Sequence, residues 1–160
     1  MIWLLRHGPV RVAPGICYGR KEVELAAAPE PPAGLPPGAR IVSSPARRCA
    51  ALANAMGAFT TDARLLELDF GAWEGVAWDD VPRAALDAWA ADPWGFAPGG
   101  GESGQALLAR VRAFWADAMD RPLIIVSHGG PLRLLRQLAE GRAPDILEPP
   151  PALGAVLRIG

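Results

Sequence analysis

The chain contains two histidines, His7 and His128, and each closes a short apolar run just before a glycine. The first run is Ile2-Trp3-Leu4-Leu5-Arg6-His7-Gly8 and the second is Leu123-Ile124-Ile125-Val126-Ser127-His128-Gly129-Gly130. A neutral imidazole can attack phosphorus or bind a metal, and an imidazolium can hold an anion. If both runs are strands of one parallel sheet, both rings reach the same carboxyl edge, where open α/β sheets bind ligands. Arg6 stands beside the first ring, so the arrangement offers an anion site with a nucleophile in it.

Three further stretches carry side chains suited to that chemistry. In Ser43-Ser44-Pro45-Ala46-Arg47-Arg48-Cys49, a strand runs into a helix N-terminus, which favours anions. Arg47 and Arg48 point in different directions on the first turns, so one of them can face a bound anion. Leu66-Glu67-Leu68-Asp69-Phe70-Gly71-Ala72-Trp73-Glu74-Gly75 places three carboxylates among aromatic rings and glycines, where loss of solvation suits a general acid. The amides after His128, at Gly129 and Gly130, can also point at an anion. Taken singly, each motif is equally at home as a strand cap, a solvated helix face or a surface turn.

The elements needed to position these residues can be read from the pattern. Residues 1–6, 40–43 and 123–127 read as buried strands, with 123–127 the most apolar and central. Ser44 is the expected cap and Pro45 the expected first residue of a helix running to about Met56, with Gly57 closing it. Residues 63–68 read as a short extended segment and 79–91 as a helix. Glu102 or Ser103 opens a long amphipathic helix with Leu107, Leu108, Val111, Phe114, Trp115 and Met119 on its apolar stripe. A helix from about Pro131 to Glu140 and a last strand at 153–159, at an edge, complete the set. Strands and helices alternate, which predicts an α/β fold: a mainly parallel central sheet flanked by helices on both faces.

The chain of 160 residues suits a single domain, 1–160. A net charge of -1 gives no global field toward nucleic acid or an anionic membrane, and neither is expected as a partner. Lys21 is the only lysine. Cys17 and Cys49 make no metal or redox spacing, and the reducing cytoplasm is the expected location. No stretch approaches a membrane span.

In combination the motifs are more specific. Arg-His-Gly, Ser-Ser-Pro-x-x-Arg, Glu-x-x-Phe-Gly-x-Trp-Glu-Gly, Gly-Gly-Glu-Ser and Ser-His-Gly-Gly occur in this order from Leu5 to about Leu135. This resembles the histidine phosphatase superfamily, the phosphoglycerate-mutase-like proteins. Within it, Arg6-His7-Gly8-Pro9 and Gly15-Ile16-Cys17-Tyr18-Gly19-Arg20 most resemble the alpha-ribazole phosphatase branch of cobalamin biosynthesis. The resemblance implies a metal-independent phosphomonoester hydrolase with a phosphohistidine intermediate and no cofactor, acting on a small phosphorylated metabolite. His7 matches the nucleophile, Arg6 the adjacent phosphate ligand, Arg48 rather than Arg47 the helix arginine, Glu67 the proton donor and His128 the second histidine, better suited to being protonated. Glu74 is the second choice for the acid. Gly8, Tyr18, Gly19 and Gly129 are expected to contact substrate.

The family usually carries a helix between the first loop and the second strand. Here a Pro-rich stretch, Pro29 to Gly38, stands in its place. A second copy, as in a homodimer, is one way to cover the flank so left. Open beside the preferred reading are a phosphatase for another small metabolite, a mutase, a protein phosphohistidine phosphatase and a non-catalytic phosphate-binding module. Trp78, Trp89 and Trp94 fall in the segment expected to roof the pocket, as core or as a stacking surface for an aromatic leaving group.

Overall fold

The computed structural model describes residues 1–118 and 122–160. Five strands form one sheet in the order β3-β2-β4-β1-β5, with β1 Ile2–Arg6, β2 Arg40–Ser43, β3 Thr60–Thr61, β4 Leu123–Ser127 and β5 Val156–Ile159. The first four are parallel, and β5 pairs antiparallel to β1 at the edge. The strand β4 is buried at every residue, as expected of a central strand covered on both faces. The edge strand β5 alternates exposed and half-buried residues instead.

Helices cover both faces. On one, α3 (Gly104–Asp117) and α4 (Gly129–Ala139) enclose Ile2, Leu4, Leu123 and Ile125 with Leu107, Val111, Phe114, Leu132 and Leu135. On the other, α1 (Arg47–Met56) packs Cys49, Leu52 and Ala53 on Leu5, Ile41, Ile124 and Val126. Residues 7–39 contain no helix, and Leu35 and Ala39 from this segment join α1 against Trp3 and Leu5. Of the apolar stripe expected on α3, Leu107, Val111 and Phe114 are buried and Leu108 and Trp115 pack against the same cluster. Met119 lies outside the described residues.

Several boundaries differ from the sequence reading for local reasons. The stretch expected to be extended, 63–68, begins with a 3₁₀ turn at Ala63–Leu65, where the Asp62 carboxylate accepts the Arg64 amide. The helix expected over 79–91 is interrupted. A 3₁₀ turn spans Trp78–Asp80, and α2 covers only Arg83–Ala91. Pro82 has no amide to donate and pushes Val81 out of helical geometry. The first helix starts at Arg47, two residues later than expected from Ser44 and Pro45; the Ser44 hydroxyl lies 2.8 Å from His128 Nε2 and also accepts the Ala46 amide at 3.3 Å. The last helix starts at Gly129, two residues earlier than Pro131.

Candidate active site

The sheet register brings the two histidines together. Arg6 pairs with Ser127 across β1 and β4, so the next residue of each strand emerges on the same edge. The His7 and His128 rings lie 5.4 Å apart, centroid to centroid, and meet edge-on at 67°. They open on a cavity of about 560 Å³ that is also lined by Arg6, Tyr18, Arg48, Glu67 and Gly129.

The His7 ring is 2% exposed. Its Nδ1 lies 2.8 Å from the Gly8 carbonyl oxygen, which can only accept, so Nδ1 carries the hydrogen and Nε2 keeps its lone pair. Burial, partly opposed by the Gly8 hydrogen bond and reinforced by the Arg48 and Arg6 charges, lowers its pKa to about 4. His7 is therefore neutral at pH 7, with a free in-plane nitrogen.

His128 Nε2 lies 2.8 Å from Ser44 Oγ, and Cys49 Sγ is 3.5 Å from the same nitrogen. Burial first, then the charges of Arg48, His7, Arg6 and Arg110, hold this imidazole well below the usual histidine range. The sequence favoured a protonated His128; burial foremost, with the nearby arginine charges behind it, favours the neutral ring instead. Burial also pushes the Cys49 thiol up, so it remains an uncharged neighbour.

Arg48 is 1% exposed, whereas Arg47 faces solvent with its backbone amide on Glu22. The Arg48 fork is fixed from behind: Nη2 donates to the Gly19 carbonyl at 2.6 Å and Nη1 to the Lys21 carbonyl at 3.0 Å. Arg6 Nη1 donates to the Pro151 carbonyl. The Nε–H groups of both arginines are buried without a partner. An unpaired buried donor costs roughly 1–3 kcal/mol.

The two candidate acids separate cleanly. Glu67 lines the cavity, with Oε1 accepting from the Leu68 amide at 2.8 Å and Oε2 from the Gly130 amide at 3.1 Å. Glu74 is turned away and accepts four amides: Gly19 and Lys21 on Oε2, Arg20 and Phe70 on Oε1. It closes the 18–21 loop onto the aromatic segment, and its lone pairs are spent on backbone. The amide at the start of α4 was expected to face a bound anion; at Gly130 it donates instead to the protein's own Glu67 side chain. A side chain at Gly130 would collide with that carboxylate.

Of the residues expected to contact substrate, Tyr18 and Gly129 line the cavity. Gly8 and Gly19 stand one step behind it, their carbonyls orienting His7 and Arg48. Gly19 has no room for a side chain, which would strike the Leu68 carbonyl and the Phe70 ring. The aromatic wall consists of Phe70, Trp78 and Trp89, with Trp78 and Trp89 stacked at 6.1 Å and 17°. Trp94 packs instead against the α3–α4 core. Two residues were not marked as site residues from the sequence. Ser44 holds His128, a use that its reading as a helix cap obscured. Arg133, one turn into α4, lines the cavity with a buried, unpartnered Nε; only its spacing of five from His128 hinted at this.

Comparison with known proteins agrees with this architecture. A glucosyl-3-phosphoglycerate phosphatase of Mycobacterium tuberculosis is 38% identical over 111 residues, which cover 56% of this chain and 49% of that protein. The chain thus spans about half the length of the curated relatives it matches. The alpha-ribazole phosphatase from Shigella flexneri superposes with a TM-score of 0.80 at 24% identity, covering 97% of this chain and 87% of that one. The native mycobacterial glucosyl-3-phosphoglycerate phosphatase superposes with a TM-score of 0.72 at 25% identity over the same shares. Residues 2–154 match the histidine phosphatase superfamily (branch 1), and the chain belongs to that family.

Proposed function

We propose that this protein hydrolyses small phosphomonoesters through a phosphohistidine on His7. The observation that carries the reading is the state of His7: its Nδ1–H is tied to Gly8, its Nε2 is free, and burial keeps it neutral between two arginines with idle donors. A neutral imidazole with a fixed tautomer is an activated nucleophile. The guanidinium groups of Arg6 and Arg48, both of which line the cavity, suit the oxygens of a transferring phosphoryl group.

The reading implies the following steps. His7 Nε2 attacks phosphorus in line, forming the N–P bond as the ester P–O bond breaks. Glu67, carrying a proton, delivers it to the departing alkoxide, and the alcohol leaves. The Glu67 carboxylate then takes a proton from water as its oxygen attacks phosphorus, which returns the electron pair of the N–P bond to His7. Arg6, Arg48 and His128 hold the equatorial oxygens throughout. A bound phosphate dianion favours the protonated form of His128, so proton uptake accompanies binding.

The aromatic wall of Phe70, Trp78 and Trp89 supports alpha-ribazole 5'-phosphate, whose leaving group carries a flat ring, as the substrate. A second reading is a glucosyl-3-phosphoglycerate-like ester. It draws on the 38% identical relative and on Arg133, a cation placed to meet a carboxylate. The cytoplasm is the proposed location, supported by two free, buried cysteines; no helix among the described residues is long and apolar enough to cross a membrane.

The test is phosphoenzyme trapping. The protein should take up acid-labile label from a labelled ester, and His7→Ala should take up none and lose turnover; retained turnover would discard the nucleophile assignment. A panel ranked by kcat/KM then separates the two esters.

A further inference from the structure

The Gly-Gly-Glu-Ser motif has no part in the chemistry described so far. Gly99 and Gly101 lie against the backbone of residues 69–73, where side chains would strike the Phe70 and Asp69 carbonyls. Glu102 follows, its amide donating to the Asp69 carbonyl at 2.8 Å. Ser103 then caps α3, its hydroxyl accepting the Ala106 amide at 3.1 Å. The loop thus delivers Glu102 beside the turn that carries Glu67.

Glu102 and Arg110, on α3, form a two-pronged pair. Arg110 Nε donates to Glu102 Oε2 and Arg110 Nη2 to Oε1, each at 2.8 Å. Both side chains are nearly withdrawn from solvent, at 13% and 15% exposed, which makes the fork stiff. Its remaining donors reach two backbone carbonyls: Nη1 to Arg64 at 2.7 Å and Nη2 to Glu67 at 3.1 Å. Arg20 Nε donates to the same Glu67 carbonyl at 2.8 Å, and Arg20 Nη2 lies 3.9 Å from Glu102.

We propose that Glu102 and Arg110 are positioning residues for the general acid, gripping the main chain at Glu67 so that its carboxylate stays aimed at the ester oxygen. Glu67 is then held at both ends, by guanidinium groups on its carbonyl and by the Leu68 and Gly130 amides on its carboxylate. The backbone of Glu67 has no helix or strand to hold it, so a side-chain clamp supplies the rigidity that regular structure gives His7, Arg48 and His128.

The inference rests on Glu67 as proton donor, and its test distinguishes the two ideas. The measurement is kcat/KM, which ends at alcohol release, for an alkyl phosphate and for 4-nitrophenyl phosphate, whose leaving group departs without a proton. Arg110→Met and Glu102→Gln should lose on the order of 10–100-fold on the alkyl ester and only a few-fold on the nitrophenyl ester. Arg110→Lys keeps the charge but not the fork, and should not rescue the alkyl ester. Equal losses on both esters, or no loss on either, would overturn the clamp. If Arg110→Met does not fold, Glu102→Gln, which keeps size and one acceptor, decides by the same ratio. Glu67→Gln is the control: if it shows no preference for the nitrophenyl ester, the proton-donor assignment falls and takes the clamp with it. If it does and the clamp variants do not, only the clamp is lost.

Discussion

At the scale of single residues, adjacent or like side chains do different work because different backbone groups meet them. Arg47 and Arg48 are neighbours, yet one is solvated and the other is buried against the cavity with its fork fixed by two carbonyls. Arg48→Ala should reduce kcat/KM by roughly 10²–10³-fold, the usual loss for one preorganised donor, and Arg47→Ala by no more than a few-fold. Comparable losses would reverse the assignment. Glu74→Gln should cost about 1–3 kcal/mol in the urea unfolding free energy, since an acceptor of four amides becomes a poorer one. It should slow both classes of ester alike, because the loop it closes carries the carbonyls that hold Arg48. A selective loss on poor leaving groups would make Glu74 the acid after all. The choice of Arg48 came from the motif register alone. The choice between Glu67 and Glu74 could not be read locally: both sit among glycines and aromatic rings, each accepts one nearby amide, and the remaining amides come from more than fifty positions away.

At the scale of elements, β1 and β4 were legible as apolar runs, as sheets covered on both faces require, and β2 through its apolar pair Ile41-Val42. The two-residue β3 carries no such signal. Ser44 serves twice before α1, its hydroxyl meeting His128 and accepting the Ala46 amide, and the helix itself starts only at Arg47. The break before α2 was present in the sequence as Pro82, but the apolar period across 79–91 masked it. Once formed, α2 has no fully buried residue and is attached through Leu86, Trp89 and the aromatic cluster, whereas every residue of β4 is buried. Amide hydrogen exchange should therefore be much faster in α2 than in β4, reporting local opening below the global unfolding free energy. Bound phosphate alone should leave that difference largely intact, and an ester with an aromatic leaving group should slow exchange in α2. Equal protection of the two elements without ligand would rule out α2 as a separately opening wall.

At the scale of the whole molecule, the buried histidines link stability to acidity. His7 has an unfolded pKa near 6.5 and a folded value of about 4. Between these values the unfolded chain binds the extra proton, so stability rises with pH through this window and is flat, in this respect, above it. Acidification from pH 7 to 4 should remove about 3 kcal/mol through His7, with His128 adding in the same direction. Urea midpoints measured from pH 8 to 4 check this, and His7→Ala should flatten the curve. A wild-type midpoint independent of pH would contradict the burial of both rings as neutral groups.

The pairing of Arg6 with Ser127 has a consequence for how such a protein can change. A one-residue slip between β1 and β4 would send one histidine to the opposite face of the sheet, so the spacing of the two rings varies in whole steps or not at all. The reacting centre is therefore discrete, while the wall built from residues 16–18, 78–93 and 146–150 is continuous and adjustable. Exchanging wall segments with relatives should retarget the ester recognised without retuning the phosphoryl chemistry, which makes this fold a modular scaffold: a fixed reaction core with a replaceable recognition surface.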